Sequence, residues 1–377
     1  MSDPRVAKLA DLLVNYSLQL QPGQLLRIDA GTVAAPLVTE AYRAALRAGA
    51  NDRTRIEVEW LDVISVAEAN DEQLVFVSEV DRFEVEQVHA VMTIWAERNT
   101  RALTQADPQR VSRRIASRRE LTKRFWERID GGEATWVGTR FPTEAHAQDA
   151  EMSLQEYEDF VYAACHVREH ENPVDHWETV STELNTRARE LETFRELRIV
   201  GPDTDLRVGV DGRRWLAADG RLNMPDGEIF TSPVETETEG EIRFSFPAIF
   251  HGRSVEDVRL RFEGGRVVAS EAKAANDYLR SLLEMDGGSR TLGELAFGMN
   301  YEIDRFTRDI LFDEKIGGTL HLALGSSFKK LGGQNDSGLH WDMICDLRAE
   351  GEVYADGELV WKAGRFLHEP GLVAAAS

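Results

Sequence analysis

The hydrophobic pattern of this chain changes once, near Arg198, and that change restricts the fold more than any other feature. Before it, short apolar runs alternate with helical patterns. Asp3 to Ser17 reads as a helix with Val6, Leu9, Leu12 and Leu13 on one face, and Pro36 to Ala48 and Pro108 to Trp126 as two more. Gln24 to Asp29, Arg55 to Trp60, Val88 to Trp95 and Thr135 to Phe141 read as strands between them. Such alternation indicates an open, mostly parallel α/β domain, placed at residues 1–197. Ser153 to His170 and Trp177 to Leu197 are helical in pattern and join the halves. After Arg198 the runs LRIVG, DLRVGVDG, IRFSFPAIF and VRLRFEGGRVV are short, alternating and separated by Gly, Asp and Pro turns. Residues 198–377 therefore read as a β-rich α+β domain with one helix, Ala272 to Glu284, and a closing hairpin-like GEVYADGELVWKAGRF. No GxGxxG follows the first strand and no GxxxxGK[ST] occurs, so a nucleotide site has no motif.

Charge narrows the partners. With 44 basic and 66 acidic residues the net charge is −22, which argues against nucleic acid and against anionic membrane surfaces. Seven lysines leave 37 of the 44 positive charges to arginine. Acid-rich, lysine-poor composition fits a halophilic protein, and a high-GC genome accounts equally for arginine over lysine. Cys165 and Cys345 are too few for a disulfide framework and suggest a reducing cytoplasm. The N-terminal stretch has no signal-peptide core, and nothing downstream is long and apolar enough to span a membrane.

The chemistry concentrates between Leu311 and Leu347, LFDEKIGGTLHLALGSSFKKLGGQNDSGLHWDMICDL. His340 and Asp342 are two residues apart, so an extended chain aims both side chains the same way. His321 emerges from a second strand after a glycine pair. Imidazole and carboxylate together suit a divalent cation such as Zn²⁺, Co²⁺ or Mn²⁺. A structural histidine beside a solvated aspartate accounts for the same pair. Upstream, the turn Pro225-Asp226-Gly227 delivers Glu228 to the start of a strand, and Glu294 lies among small and apolar residues in LGELAFGMN. A buried carboxylate is seldom unpaired, and a metal ion or an arginine would offset its burial equally. Glu228, Glu294, His321, His340 and Asp342 make three carboxylates and two imidazoles, a set suited to two divalent ions sharing a bridging carboxylate. A competing pattern, HVREH from His166 to His170, matches the inverted zincin motif with Glu169 as a base, but a polar helix face explains it as well and no third ligand stands out. His89 reads as a satisfied core histidine.

These blocks resemble the M29 metallo-aminopeptidases, the aminopeptidase T family. The likeness covers essentially the whole chain and is densest in NMPDGEIFTSP, FPAIFHGR, LGELAFGMN, ILFDEKIGGTLHLALG and HWDMICDL. The resemblance implies an α/β N-terminal domain, a C-terminal domain with a dinuclear metal site, and a homodimer whose active sites face an internal cavity. It places Glu228, Glu294, His321, His340 and Asp342 on the family's metal ligands, for two ions of Zn, Co, Mn or Mg. It implies an exopeptidase that acts on short peptides through a metal-activated water, held or deprotonated by Glu228 or Glu294. One position departs from the family: Phe328 stands where a tyrosine usually lies, seven residues after the first ligand histidine. That change removes a hydroxyl that could steady a transition-state oxygen, a role open to Ser326 or Ser327. The alternatives are a mononuclear iron ring-cleaving dioxygenase of the dihydroxypyridine type, and a catalytically weakened metal- or peptide-binding relative.

Overall fold

The structure, a computed structural model, describes residues 3–168 and 172–368. The chain forms two compact units. One comprises Met1–Trp177 with Gly220–Pro225, the other Glu178–Asp219 with Asp226–Ser377. The first border falls within the helix Pro173–Leu191, upstream of the 197/198 division suggested by the change of pattern.

The first unit holds a five-stranded, all-parallel sheet in the order Asn51–Glu57, Leu25–Gly31, Ala90–Trp95, Thr135–Arg140, Asn223–Met224. Leu26, Ile28, Val91, Met92, Ile94 and Val137 are buried there. The edge strand lies upstream of the expected Arg55 to Trp60. Its polar start, Asp52 to Arg55, pairs with Leu26 to Asp29, and Trp60 instead opens the helix Trp60–Glu68. An edge strand needs only one neighbour and can carry charge along its length, so periodicity does not announce it. The expected basic helix divides into Pro108–Ser117 and Arg119–Asp130 at Arg118. The helix Leu154–Ala164 stops before HVREH: Cys165 caps it and His166 has φ of 55°. His166 is therefore not on a helix, as the zincin pattern requires, and its ring stacks on His176 at 3.5 Å. Glu169 and His170 lie outside the described residues. His89 is exposed rather than in the core, and its Nδ1 accepts from the Leu25 N–H at 3.1 Å.

The second unit is built from antiparallel sheets. The larger runs Arg266–Glu271, Val258–Glu263, Thr238–Phe244, Thr204–Gly209, Glu196–Gly201, Glu352–Ala355, Glu358–Lys362, Arg365–Phe366. The smaller runs His340–Asp346, Thr319–Gly325, Leu292–Gly298, Glu228–Thr231, Trp215–Ala218. One side of the smaller sheet, with Leu295, Phe297, Leu320, Leu322, Leu324, Trp341 and Met343, joins Ile199, Leu206, Ile242, Phe244, Leu260 and Trp361 in a single core. Every residue of Leu292–Gly298 and Thr319–Gly325 is buried, so these strands are fixed on both faces. The expected helix near Ala272 is Asn276–Leu283. Among the described residues, no helix is long and apolar enough to cross a membrane.

Candidate metal centre

The face of the smaller sheet opposite that core carries the chemistry. Glu294 pairs with Ala323, and Ala323 with Asp342; Ala296 pairs with His321; Gly325 pairs with His340; Gly298 pairs with Glu228. Residues opposite one another, and residues two apart, project to the same side of a sheet. Glu228, Glu294, His321, His340 and Asp342 therefore share one face, drawn from four adjacent strands.

Local structure sets the carboxylates. Gly227 has φ of 119°, and a Cβ there would meet the Asn300 Cβ at 2.9 Å. Only glycine makes that turn without strain, and the Asn300 side chain locks it by donating to the Asp226 carbonyl at 2.8 Å. Glu228 follows directly. Glu294 sits at a register shift between Leu292 and Glu294. At Gly293 in that bulge, an added Cβ would lie 2.1 Å from the Ser326 carbonyl oxygen.

The histidines are held by their far nitrogens. His321 Nδ1–H donates to the Glu314 carbonyl at 2.9 Å, and His340 Nδ1–H to the Ser326 carbonyl at 3.0 Å. A carbonyl only accepts, so each Nδ1 carries the hydrogen and each Nε2 is turned into the cluster. His321 Nε2 lies 3.6 Å from Glu228 Oε2 and 3.5 Å from Glu294 Oε1. His340 Nε2 lies 3.2 Å from Glu294 Oε2 and 3.6 Å from Asp342 Oδ1. Glu294 thus offers one oxygen to each imidazole. The sequence left Glu294 open between a metal and an arginine; among the described residues its ion-pair partners are the two histidines.

Electrostatics follow from burial in a mixed-charge pocket. Burial opposes charge on both imidazoles, yet the Glu294 hydrogen bonds and neighbouring carboxylates raise His321 to about 10 and His340 to about 9. Burial works against Glu294 too, and hydrogen bonds from His321 and His340 hold its carboxyl at about 2. Burial drives Glu228 well above the usual carboxylate range against the pull of Lys315. Asp342 is raised to about 6, chiefly by burial. Glu228 Oε2 and Asp342 Oδ1 are buried and accept no hydrogen bond. Orphaned buried oxygens are costly, and a cation is the partner that this donor set fits.

Two groups of side chains could each hold an ion: Glu228, Glu314 and His321, and Glu294, His340 and Asp342. Glu314 was not among the sequence candidates. In DEKIGG it looks like one member of a solvated charge run; its carbonyl contact to His321 and its neighbour Lys315, fully buried, set it apart. Phe328 lies at the margin, 39% exposed, with its ring 5.2 Å from Phe230 and 5.7 Å from His340. Ser327 Oγ is engaged with the Asn335 backbone, and Ser326 supplies its carbonyl to His340. A separate cleft of about 650 Å³ opens in the first unit, lined by the acidic Asp29, Glu57, Glu59, Asp62 and Glu97; of these, Glu97 pairs with Arg140 and His146 at 2.8 Å each.

Residues 2–366 match the family described as Thermophilic metalloprotease (M29). The chain belongs to the M29 metalloproteases. Aminopeptidase T of Thermus aquaticus is 30% identical over 62% of this chain and 62% of its own length. Aminopeptidase 2 of Geobacillus stearothermophilus is 26% identical over 96% of this chain and 97% of its own. The solved structure of wild-type AmpT from Thermus thermophilus superposes with a TM-score of 0.84 at 26% identity, covering 97% of this chain and 99% of that one. The M29 chain described here is accordingly a metallo-aminopeptidase, with the divalent-metal use that this family implies. The α/β fold expected from sequence agrees with that superposition. These matches do not favour the iron dioxygenase reading.

Proposed function

We propose that this M29 protein removes single residues from the N-termini of short peptides, using two divalent ions held by Glu228, Glu294, His321, His340 and Asp342, with Glu314 as a further ligand. One observation carries the reading: two imidazoles, each anchored through Nδ1 to a backbone carbonyl, turn Nε2 toward the buried carboxylates of Glu228 and Glu294 and the half-buried Asp342 on one sheet face. Such anchoring orients metal-binding histidines generally. Glu294, with an oxygen toward each imidazole, would help to hold the ions in place. Ions bound there would supply Lewis acidity, lowering the pKa of a water and polarising the scissile carbonyl.

The chain's own residues do the rest. Glu228, whose Oε2 accepts no hydrogen bond, takes the proton during attack and returns it to the leaving amine. Glu294, His321, His340 and Asp342 fix the geometry. Phe328 supplies an apolar edge and no hydroxyl, so turnover is slower than with tyrosine at that position. We assign no choice among Zn²⁺, Co²⁺, Mn²⁺ and Mg²⁺, because mixed carboxylate–imidazole sites take several. A cytoplasmic homodimer adapted to salt belongs to the same proposal, on the family resemblance, the two free cysteines and the charge of −22.

The reading is tested with leucyl-peptides carrying a free or an acetylated amine. Hydrolysis restricted to the free amine, abolished by chelation and restored by added Zn²⁺, Co²⁺ or Mn²⁺, is expected. Undiminished hydrolysis by the chelated protein would contradict it.

A further inference from the structure

Lys315 is completely buried, and nothing assigned so far uses it. Its Nζ contacts Glu314 Oε1 directly and lies 4.0 Å from Glu228 Oε1 and 3.9 Å from Asp226 Oδ1. Glu228 and Glu314 are two of the three side chains in the first candidate ion group. The second group, Glu294, His340 and Asp342, has no such neighbour: among the described residues no lysine or arginine pairs with its carboxylates.

We propose that Lys315 makes the two ion positions unequal, so that the Glu294–His340–Asp342 position fills first and the Glu228–Glu314–His321 position is the weaker, exchangeable one. The reasoning is electrostatic and rests on the two-ion reading above. A dication entering the first group meets an ammonium already bound to one of its ligands, in a buried setting where like charges repel strongly. Asp226 offsets part of that charge, but it stands outside the ligand group, whereas Lys315 touches a ligand. The same ammonium is the standing counter-ion for Glu228 and Glu314 when no ion is bound, so the first group tolerates emptiness better. Lys315 thus acts as a positioning residue, through its neighbours' oxygens, and takes no part in bond making.

The test is occupancy rather than turnover. Metal-free full-length protein is given one equivalent of Zn²⁺ per chain, crystallised, and the ion located by anomalous diffraction at the zinc edge. Zinc at Glu294–His340–Asp342 is expected; zinc at Glu228–Glu314–His321 overturns the proposal. In parallel, calorimetric titration with Zn²⁺ compares the unmodified chain with Lys315→Met. Two unequal steps are expected for the unmodified chain, and in the variant the second step tightens by at least about tenfold relative to the first. An unchanged ratio between steps overturns the proposal. If Lys315→Met does not fold, the diffraction result on the unmodified chain decides alone. Saturation at a single ion would overturn the two-ion reading and this inference with it, whereas two ions filling in the reverse order would overturn this inference only.

Discussion

At the scale of single residues, the centre depends on where each side chain is tied rather than on which residues are present. His321 and His340 are aimed by backbone carbonyls of Glu314 and Ser326, so both Nε2 atoms are turned into the cluster. Phe328 packs edge-on against His340 and Phe230 without offering a donor. Phe328→Tyr should raise kcat by about ten- to a hundredfold, less than the 10²–10³ lost with an oxyanion donor elsewhere, and leave metal content unchanged. Steady-state kinetics with metal analysis checks this; a variant no faster than the parent would remove Phe328 from the account. Glu228, Glu294, His321, His340 and Asp342 were legible in sequence because each stands out chemically against an apolar strand. Glu314 was not, because its part is set by a turn that brings its carbonyl to His321, and no periodicity reports that.

Among the elements, the strands that carry the centre were readable and their exact registers were not. The bulge at Gly293 is invisible to alternation, yet it brings the strand against the Ser326 carbonyl that holds His340. Gly293→Ala places a Cβ 2.1 Å from that oxygen, so the two segments must part. The expected cost is about 1–3 kcal/mol of stability, as for overpacked sites, together with weaker metal binding. Urea unfolding and metal titration measure both, and parent-like values would show that the contact is unimportant. In the first unit the polar start of the edge strand and the break in the basic helix at Arg118 escaped the sequence, since the strand has no apolar alternation and no Gly or Pro marks the break. There Glu97 joins His146 and Arg140: burial opposes its charge, but their hydrogen bond and positive charge hold it at about 2, below its ordinary 4.5. A depressed folded-state pKa gives stability that is present above 4.5 and lost as pH falls toward 2. Glu97→Gln should therefore lower the melting temperature at neutral pH, with the gap to the parent closing across that window. A gap independent of pH would contradict the assignment.

For the molecule as a whole, the change in pattern near Arg198 suggested a division at 197/198, whereas the compact units part at Trp177/Glu178 and Gly220–Pro225 falls in the first. That segment contributes Asn223–Met224 to the parallel sheet, a strand too short to leave a sequence signal. The net charge of −22 should make stability rise with salt, as self-repulsion is screened. The melting temperature in molar KCl is expected to exceed that in dilute buffer, and equal values would end the halophilic reading. The central claim is that one sheet face holds two ions and that these ions make the peptidase. It is tested most directly by counting metal per chain in the parent and in Glu294→Ala, alongside leucyl-anilide hydrolysis by the same samples. The account predicts two ions in the parent, and in the variant a loss of bound metal with activity down by more than about a hundredfold, beyond the loss typical of outer-shell partners. A variant that keeps both ions and its activity would contradict it.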